Sequence, residues 1–331
     1  MILHLKNDIN QSVIKEIIDK YNPVILNDGV QTVLVTSSSF KDIEDKYKEF
    51  ISKYFVFDTD IQLANIKYAS KRKIQIGKFI IGGDSKNTLL AAGPCSVESW
   101  EQIRATAELL KSCGLSTLRA GSFKPRTSPY TFQGLGIEGL QMLDAIRKEY
   151  GFTIITEVRD ATHADVVIEY ADVIQIGAKA MYDHGILRKC GNINKPILLK
   201  RHFGANIQEF VQAAEFILSG GNPNVILCER GIRTFETKTR FTLDLCGVAY
   251  LKQNTNLPII LDPSHAMGYA YGIPDLTRAS LAMGVDGLLI EVHPSPVHAK
   301  SDASQQLNHE EFKKLYDSLL PIANSIGRTI I

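Results

Sequence analysis

The sequence lacks the features that mark secreted, membrane-spanning and nucleic-acid-binding proteins. Its first residues, MILHLKNDINQ, have neither the basic start nor the long apolar stretch of a signal peptide. No apolar run approaches the roughly 18 residues that a membrane span needs. The 37 basic and 36 acidic side chains nearly cancel, so any anion-binding site must be local. These absences predict a soluble cytoplasmic protein with no nucleic acid or membrane partner.

The cysteines form no recognisable framework. They are odd in number and scattered, and no two of them make a CxxC pair. The five are Cys95, Cys113, Cys190, Cys228 and Cys246. This pattern favours reduced thiols in a cytosolic protein over a set of disulfides.

Residues 1–68 are expected to form a small ferredoxin-like α+β domain with the element order βαββαβ. A strand and an amphipathic helix come first, and two apolar runs then flank Asp28-Gly29, a pair typical of a type I′ hairpin turn. Ser39 is predicted to cap a second helix. Its apolar stripe consists of Phe40, Ile43, Tyr47, Phe50, Ile51 and Tyr54. An extended segment at about 59–67 is predicted as the fourth strand.

From residue 88 the chain repeats one unit eight times: a short apolar strand, polar residues at its carboxyl end, and an amphipathic helix. The strands are LLAAGPC, STLRAGS, FTIITEV, VIQIGAK, PILLKRH, VILCERG, PIILDPSH and GLLIEVHP. Near-continuous apolar strands suit a parallel sheet that is buried on both faces. We therefore expect a (β/α)8 TIM barrel over residues 88–331, with its active site at the carboxyl ends of the strands. Residues 69–87 are expected to form a linker and a hairpin that closes the barrel floor.

Basic side chains follow several of the predicted strands. They are Arg119, Lys124, Arg126, Lys179, Lys200 and Arg230. Any one of them could pair with a carboxylate of the protein, but six on one rim would be costly to bury without anions from outside. Phosphate and carboxylate ligands satisfy such groups, and arginine can bind them in bidentate fashion. The pattern predicts a site for two small, highly anionic substrates.

A second set of side chains has the character of metal ligands. Cys95, His265, Glu291 and Asp302 lie at or beyond the ends of the first, seventh and eighth strands, which are neighbours in a closed barrel. A lone cysteine at a strand end is commonly a small buried hydrophobe, so the joint placement carries the argument. A mixed sulfur, nitrogen and oxygen set suits Mn, Fe, Co or Zn and is too soft for Mg alone. We therefore predict one divalent metal ion.

Several motifs together resemble one enzyme family. In chain order, between about residues 90 and 310, they are GPCSVES, LRAGSFKPRTSPYTFQGLG, TEV, IQIGA, PILLKR, ILCERGIRTFE, DPSH, IEVHP and SDASQQL. They resemble the type Iβ 3-deoxy-D-arabino-heptulosonate 7-phosphate synthases, the first enzymes of the shikimate pathway. The related 3-deoxy-manno-octulosonate 8-phosphate synthases typically have an Asn where this chain has Pro125-Arg126-Thr127. The resemblance thus implies condensation of phosphoenolpyruvate with erythrose 4-phosphate rather than with arabinose 5-phosphate.

The resemblance also implies a role for each matching residue. Cys95, His265, Glu291 and Asp302 match the metal ligands. The residues that match the phosphoenolpyruvate site are Arg119, Lys124, Lys200 and Arg230, with Glu157 close to that substrate. The residues that match the acceptor-binding loop are Lys124, Pro125, Arg126 and Thr127, of which Arg126 and Thr127 reach toward the aldose phosphate.

Two positions depart from the family pattern. Lys179 stands where the family usually has arginine after IQIGA. Lysine offers a point charge without a bidentate fork, so the contact with the phosphate of phosphoenolpyruvate is expected to be weaker or rearranged. His202 stands where glycine is expected after LLKR. Both departures concern the phosphate pocket and leave the implied reaction unchanged.

The implied reaction is an aldol-like condensation in which the metal acts as a Lewis acid on the aldehyde. The enol carbon of phosphoenolpyruvate attacks the aldehyde carbon, water captures the cationic centre formed at C2, and inorganic phosphate leaves. Lys124 is the candidate proton donor to the new alkoxide, with a pKa that its cationic neighbours are expected to lower. A purely electrostatic contact with phosphate is the alternative role for Lys124.

Two other functions fit parts of the pattern. A Schiff-base aldolase would use Lys200 or Lys179 as its nucleophile, but it leaves the Cys/His/Glu/Asp set unexplained. A catalytically silent sensor of aromatic amino acids is disfavoured because all four candidate ligands and most of the cations are present.

The first 68 residues contribute none of these groups. Similar N-terminal domains in the family bind phenylalanine or tyrosine, so the resemblance implies feedback inhibition by one of them. Such domains can pair across subunits and close over the barrel mouth, which implies an oligomer, with a homotetramer expected. A folding or dimerisation module is the alternative.

Overall fold

The computed structural model of the chain describes residues 1–27, 29–124, 128 and 130–331. The elements of the N-terminal unit are β1 (Ile2–Leu5), α1 (Gln11–Tyr21), β2 (Val24–Asn27), β3 (Thr32–Val35), α2 (Asp45–Lys48) and β4 (Ile51–Phe55). The strands form one antiparallel sheet in the order β2-β3-β1-β4. Ile17 and Tyr21 of α1 pack against Leu3 and Leu34 on one face of this sheet. The predicted βαββαβ unit is therefore confirmed.

The second half of this unit differs from the prediction. The second helix is a single turn, α2, and the fourth strand is β4 rather than the segment at 59–67. Ile51 and Phe57 are buried while Lys53 and Tyr54 are exposed. β4 also pairs with β1 along its length, which satisfies the backbone groups on that side of β1. Burial on a sheet thus outweighed the helical spacing of the same apolar residues.

The hairpin between β2 and β3 is longer than predicted. Asn27 pairs with Thr32, so the connection has the four residues 28–31, and the two-residue turn is wrong. Asp28 lies outside the described residues. Gly29 has a φ of +84°, a conformation that glycine adopts without strain.

A second hairpin, of β5 (Lys73–Ile76) and β6 (Phe79–Gly82), precedes the barrel. The eight barrel strands follow as β7 (Asn87–Gly93), β8 (Thr117–Arg119), β9 (Thr153–Val158), β10 (Val173–Ile176), β11 (Ile197–Lys200), β12 (Val225–Glu229), β13 (Ile259–Leu261) and β14 (Gly287–Glu291). Each is parallel to the next, and β14 closes the sheet on β7. The predicted TIM barrel is confirmed.

The hairpin β5-β6 lies at the amino-terminal end of the barrel. Its Ile74, Ile76 and Ile81 are buried in one cluster with side chains from the barrel strands. Those side chains include Leu89, Ile155, Val173, Leu198, Ile226, Ile260 and Leu289. The polar residues of the candidate site lie at the opposite end, where the carboxyl ends of the strands meet.

Helices cover the outside of the barrel. They are α3 (Trp100–Ser112), α4 (Ile137–Tyr150), α5 (Ala164–Tyr170), α6 (His184–Gly191), α7 (Ile207–Ser219), α8 (Leu245–Asn254), α9 (Pro263–Met267), α10 (Ile273–Ala282) and α11 (His309–Ser325). The short β15 (Thr329–Ile330) pairs with β7. α7 begins with a capping box between Asn206 and Glu209 and buries Phe210, Val211 and Leu218. No helix among the described residues has the length and apolarity to cross a membrane.

The N-terminal unit is attached near the amino-terminal end of the barrel. Glu215 of α7 accepts hydrogen bonds from the backbone N–H groups of Gln62, Leu63 and Ala64, at 2.8, 3.2 and 2.7 Å. Burial raises the pKa of Glu215 to about 7. Asn256, in the loop that leads into β13, donates to the carbonyl oxygen of Leu63. These contacts lie away from the open end, so covering the barrel mouth would require the unit to move or another subunit to supply it.

Candidate active site

The polar residues at the strand ends surround a cavity of about 400 Å³. It is lined by Lys124, Glu157, Arg159, Gly177, Ala178, Lys179, Ala180, Asp183, Lys200, Arg230, Arg240, His265 and Asp302. A closed parallel barrel brings the carboxyl ends of all its strands to one opening, which explains why residues far apart in sequence meet here. Three further predicted residues are almost fully buried behind this lining: Cys95 and Glu291 contact it, and Arg119 contacts Glu291.

The four predicted metal ligands lie together. One ligand atom from each of Cys95, Glu291 and Asp302 falls within 4.8 Å of the others. Cys95 Sγ is 3.4 Å from Asp302 Oδ2, and His265 Nε2 is 3.5 Å from Glu291 Oε1. The side chains come from the segment after β7, from α9, from β14 and from the loop beyond β14. The group therefore offers one sulfur, one nitrogen and two carboxylates.

The electrostatics of this group favour a cation. Burial, and then the charge of Glu291, raise the pKa of Cys95 to about 12. Burial would also raise the pKa of Asp302, but His265 and Arg240 hold it below its usual range. Two carboxylates thus lie beside a thiol that stays protonated unless positive charge is added. A divalent ion would offset the carboxylates and bind the sulfur as a thiolate, so the donor set fits a metal of the predicted kind.

Asp262 connects a predicted cation to a predicted metal ligand. Its Oδ2 lies 2.5 Å from Lys200 Nζ and 2.8 Å from His265 Nδ1. Its Oδ1 accepts a hydrogen bond from the backbone N–H of His265, which caps the start of α9. Burial lowers the pKa of His265 despite the nearby carboxylates of Asp262 and Glu291. A neutral ring with Nδ1 toward Asp262 leaves the lone pair of Nε2 facing Glu291, as a metal ligand requires.

Arg119 and Gln175 join the two buried glutamates of the site. Arg119 Nη1 donates to Glu291 Oε1 at 2.5 Å, and Arg119 Nε donates to Gln175 Oε1 at 3.3 Å. Gln175 Nε2 in turn donates to Glu157 Oε2 at 2.6 Å. Burial alone would lower the pKa of Arg119, but Glu291 and other anionic neighbours raise it above its usual value. The charge of Arg119 is therefore compensated inside the protein.

Two of the predicted anion-binding cations are thus paired already. Arg119 has Glu291 as its partner and Lys200 has Asp262. Pairing with a carboxylate of the protein, the alternative that was open for any single cation, therefore applies to these two. Arg119 still keeps a donor: its Nη2 atom is buried and has no hydrogen-bond partner within the described part of the chain.

Lys124 is buried and protonated. Its Nζ donates to the carbonyl oxygen of Cys95 at 2.9 Å, and it lines the cavity with Glu157. The predicted lowering of its pKa is wrong. Burial does act in that direction, but Cys95 and Glu157 outweigh both burial and the repulsion from Arg119, so the pKa is raised.

Among the described residues, Arg230 and Lys179 are predicted cations that form no ion pair. Arg230 is 4% exposed, and its Nε and Nη1 atoms find no hydrogen-bond acceptor within residues 1–27, 29–124, 128 and 130–331. Burial lowers the pKa of Arg230, as expected for a guanidinium that no carboxylate neutralises. Lys179 is exposed at the end of β10 and forms no ion pair with a described residue. These two side chains are free to bind an anion that enters the cavity.

Comparison with protein families assigns the chain to one of them. The model of the DAHP synthetase I family matches residues 64–323. The chain belongs to the DAHP synthetase I family. The family assigned from the motifs is therefore confirmed, and the matched region covers the whole barrel but leaves out most of the N-terminal unit.

Individual relatives extend the comparison. The phospho-2-dehydro-3-deoxyheptonate aldolase of Thermotoga maritima is 43% identical over 281 residues, which are 85% of this chain and 79% of that protein. A crystal structure described as this Thermotoga maritima enzyme covers 100% of this chain and 99% of its own, with a TM-score of 0.81 and 37% identity. A truncated form of the 3-deoxy-D-arabino-heptulosonate 7-phosphate synthase from Thermotoga maritima covers 81% of this chain and 98% of its own, with a TM-score of 0.76 and 39% identity. The likeness to the first structure thus includes the N-terminal unit.

The sequence analysis did not select four residues that line this cavity or contact its buried glutamates. Arg159 directly follows β9 and lines the cavity, so the strand-end rule that selected Glu157 would also have found it. Gln175 interrupts an apolar strand, which is a usable signal for an inward polar residue. Arg240 and Gln305 lie in loops with no periodic pattern. They contact each other, and Gln305 Nε2 donates to Glu291 Oε2 at 2.6 Å.

The acceptor loop cannot be placed in the same way. Pro125, Arg126 and Thr127 lie outside the described residues, so their predicted role stays a prediction. Lys124 precedes them and lines the cavity, and its backbone N–H donates a hydrogen bond to the carbonyl oxygen of Gln133 at 2.9 Å.

Proposed function

We propose that this chain performs the reaction of its family with one divalent metal ion held by Cys95, His265, Glu291 and Asp302. The reaction condenses phosphoenolpyruvate with erythrose 4-phosphate and water to 3-deoxy-D-arabino-heptulosonate 7-phosphate and phosphate, the first step of the shikimate pathway. The observation that carries the metal proposal is the group of a thiol and two carboxylates, with the imidazole of His265 3.5 Å from Glu291. Mn, Fe, Co or Zn suits these ligands. When bound, such an ion supplies Lewis-acid activation of the aldehyde.

Phosphoenolpyruvate is proposed to bind the cations of the cavity. Within the described part of the chain, Arg230 and Lys179 form no ion pair, and Arg119 Nη2 has no hydrogen-bond partner. The ion pair with Asp262 fixes the position of the Lys200 ammonium group. Lys200 therefore loses little conformational freedom when the substrate binds. Glu157 lies on the same wall and is the proposed neighbour of the enol group.

Lys124 is proposed as the proton donor. Its ammonium group lies in the cavity close to the metal ligand Cys95. As the enol carbon bonds to the aldehyde carbon, the aldehyde oxygen gains negative charge and takes a proton from this group. Water then adds at C2 and gives up a proton. The phosphate leaves with the electrons of its C–O bond as the new C2 hydroxyl loses its proton and becomes the carbonyl of the product. A Schiff-base route through Lys200 is disfavoured, because the required amine is held in an ion pair with Asp262.

The acceptor-binding role of Arg126 gives a first prediction. Arg126→Ala should raise the apparent KM for erythrose 4-phosphate about ten- to a hundredfold, since it removes a charge-assisted contact worth roughly 1.5–3 kcal/mol. The KM for phosphoenolpyruvate should change much less. Steady-state phosphate release with each substrate varied in turn measures both values. Arg104→Ala is the matched control, because Arg104 is exposed on α3. Equal damage to both substrates would show that Arg126 does not serve the acceptor.

Arg159 gives a second prediction, about the departure at Lys179. Its Nε donates to Asp160 Oδ2 at 2.7 Å, which leaves the end of the guanidinium toward the cavity that Lys179 also lines. Arg159 is therefore proposed to supply the bidentate contact that lysine cannot make. Arg159→Met should raise the KM for phosphoenolpyruvate about tenfold or more.

The double variant tests this compensation directly. Adding Lys179→Arg to Arg159→Met should recover part of the lost affinity for phosphoenolpyruvate, because a fork returns on the neighbouring strand end. Substrate saturation curves for the single and double variants provide the comparison. If Arg159→Met leaves this KM unchanged, the phosphate is bound without Arg159.

The N-terminal unit is proposed to be regulatory. It contributes no described residue to the cavity and is attached near the other end of the barrel. We propose that tyrosine or phenylalanine binds it and inhibits the enzyme, and that the assembly is a homotetramer. The proposed domains are residues 1–68, the regulatory domain; 69–87, the linker and hairpin; and 88–331, the catalytic barrel. A role in folding or dimerisation alone is the competing proposal.

A further inference from the structure

Arg230 differs from the other buried cations of the site in what surrounds it. Arg119 and Lys200 each have a carboxylate partner at 2.5 Å. Arg230 is equally buried, yet its Nε and Nη1 have no hydrogen-bond partner among the residues that the structure describes. A long side chain with free donors and no ion pair would ordinarily lose its fixed orientation. Something other than an anion must hold it in place.

The neighbour of this guanidinium is an aromatic ring. Arg230 Cζ lies 4.6 Å from the centroid of the Phe241 ring, within the range of a cation–π contact. Phe241 belongs to the loop after β12. The backbone N–H of Phe241 donates a hydrogen bond to the carbonyl oxygen of Ala266 at 2.8 Å, which holds this part of the loop beside the site. A Cβ atom on Gly231 would approach Phe241 Cβ to 2.7 Å, so the glycine next to Arg230 permits this close packing.

The ring itself is held by further contacts. Phe241 stacks on Phe203 with ring centroids 5.2 Å apart and an angle of 18° between the planes. The guanidinium of Arg233 lies 4.6 Å from the Phe203 ring. Arg240 approaches Phe241 at 5.8 Å. Phe241 therefore has a defined position, and the position of Arg230 against it is correspondingly restricted.

An aromatic face has a particular advantage at an anion-binding site. It attracts a cation through its quadrupole but accepts no hydrogen bond in the plane of the guanidinium. A carboxylate in the same place would occupy the N–H groups and repel an incoming phosphate or carboxylate. The ring can thus orient Arg230 at the cavity wall without a carboxylate that neutralises its charge.

We propose that Phe241 is a positioning residue for phosphoenolpyruvate: its ring holds the guanidinium of Arg230 in the binding orientation without neutralising it. The inference rests on the proposed role of Arg230 in binding that substrate. It predicts that the electron density of the ring, and not only its volume, determines the affinity. Simple packing predicts dependence on volume alone.

Substitution separates the ring from its bulk. Phe241→Leu should raise the KM for phosphoenolpyruvate about three- to thirtyfold, the range expected for loss of one cation–π contact. The kcat and the KM for erythrose 4-phosphate should change little, and Phe241→Tyr or Phe241→Trp should retain most of the affinity. Thermal unfolding of each variant identifies any that is damaged globally.

A fluorination series decides between the two explanations. Mono-, di- and trifluorophenylalanine placed at position 241 by site-specific incorporation withdraw electrons from the ring with little change in its shape. We expect the logarithm of the KM for phosphoenolpyruvate to rise steadily with each fluorine. The same series at Phe235, which is 99% exposed, should have no effect and serves as the control.

Each outcome has one meaning. A series that leaves the KM unchanged at position 241, with an active wild-type enzyme, would overturn the positioning role and leave Phe241 as packing. An Arg230→Gln variant that binds phosphoenolpyruvate as tightly as the wild type would instead refute the role of Arg230 on which the inference rests. A steady rise at position 241 together with a large loss in Arg230→Gln supports both.

Discussion

Treatment with EDTA is expected to abolish phosphate release, and added Mn, Co or Zn is expected to restore it. The reason lies in the buried group beside the cavity, where Glu291 and Asp302 face a thiol whose pKa burial and Glu291 raise to about 12. Without a cation this group keeps a protonated thiol and two repelling carboxylates, and nothing polarises the aldehyde. Activity is measured as phosphate release from phosphoenolpyruvate with erythrose 4-phosphate. Full activity in a sample shown to be metal-free would contradict the proposed mechanism.

A substitution at Cys95 tests the same site without a chelator. Cys95→Ser should weaken metal binding, because a hard hydroxyl replaces a soft thiolate. Loss of a residue that only hydrogen-bonds a metal ligand lowers the affinity roughly 10–100-fold, so loss of the ligand itself should cost at least as much. Equilibrium dialysis followed by metal analysis gives the affinity independently of turnover. Cys246→Ser is the matched control, since Cys246 is exposed and outside the site. Equal metal content in both variants, together with borohydride trapping of a substrate adduct, would favour a Schiff-base enzyme.

The barrel and its ligand set were predictable because their signals are local. Each strand is a short apolar run that ends in polar residues. A closed barrel brings those ends to one face, regardless of the lengths and conformations of the loops. This rule predicted that Cys95, Glu291 and Asp302 are neighbours, and in the structure one ligand atom from each lies within 4.8 Å of the others. It also brought His265 to Glu291.

The ion pairing of the site was not predictable in the same way. Arg119 can bind either a substrate or Glu291, depending on how far its side chain extends across the barrel. The spacing of residues along the sequence gives no information about this distance. The same holds for Lys200 and Asp262. Arg240 comes from an irregular loop, so no periodic pattern marked it. The cations that remain unpaired are visible only once these partners are known.

The error in the N-terminal unit has a different cause. Phe40, Ile43 and Tyr47 do recur at helical spacing, and Ile43 and Tyr47 are buried as a helix stripe would require. The helix nonetheless lasts one turn, because the following segment from Ile51 pairs with the edge of β1. Short amphipathic segments are decided by the tertiary surface that is available to them.

Removal of the N-terminal unit is expected to abolish feedback inhibition while catalysis is retained. The full chain should lose activity on addition of tyrosine or phenylalanine, and coupling of ordinary size changes substrate affinity by about 5- to 150-fold. A chain without the effector site should show none of this change. Its kcat and KM should stay close to those of the full chain, because the unit contributes no described residue to the cavity.

Two truncations separate regulation from damage to the barrel surface. A chain of residues 69–331 removes the N–H groups of Gln62, Leu63 and Ala64 that bind Glu215. A chain of residues 60–331 keeps them and removes all four strands of the sheet. Because the shorter chain leaves Glu215 without its three backbone donors, it should be the less stable of the two. Both chains should be insensitive to either amino acid, and sedimentation of each reports whether the tetramer survives. If the 60–331 chain remained as sensitive as the full chain, the effector would have to bind the barrel, because no strand of the N-terminal sheet is left in it.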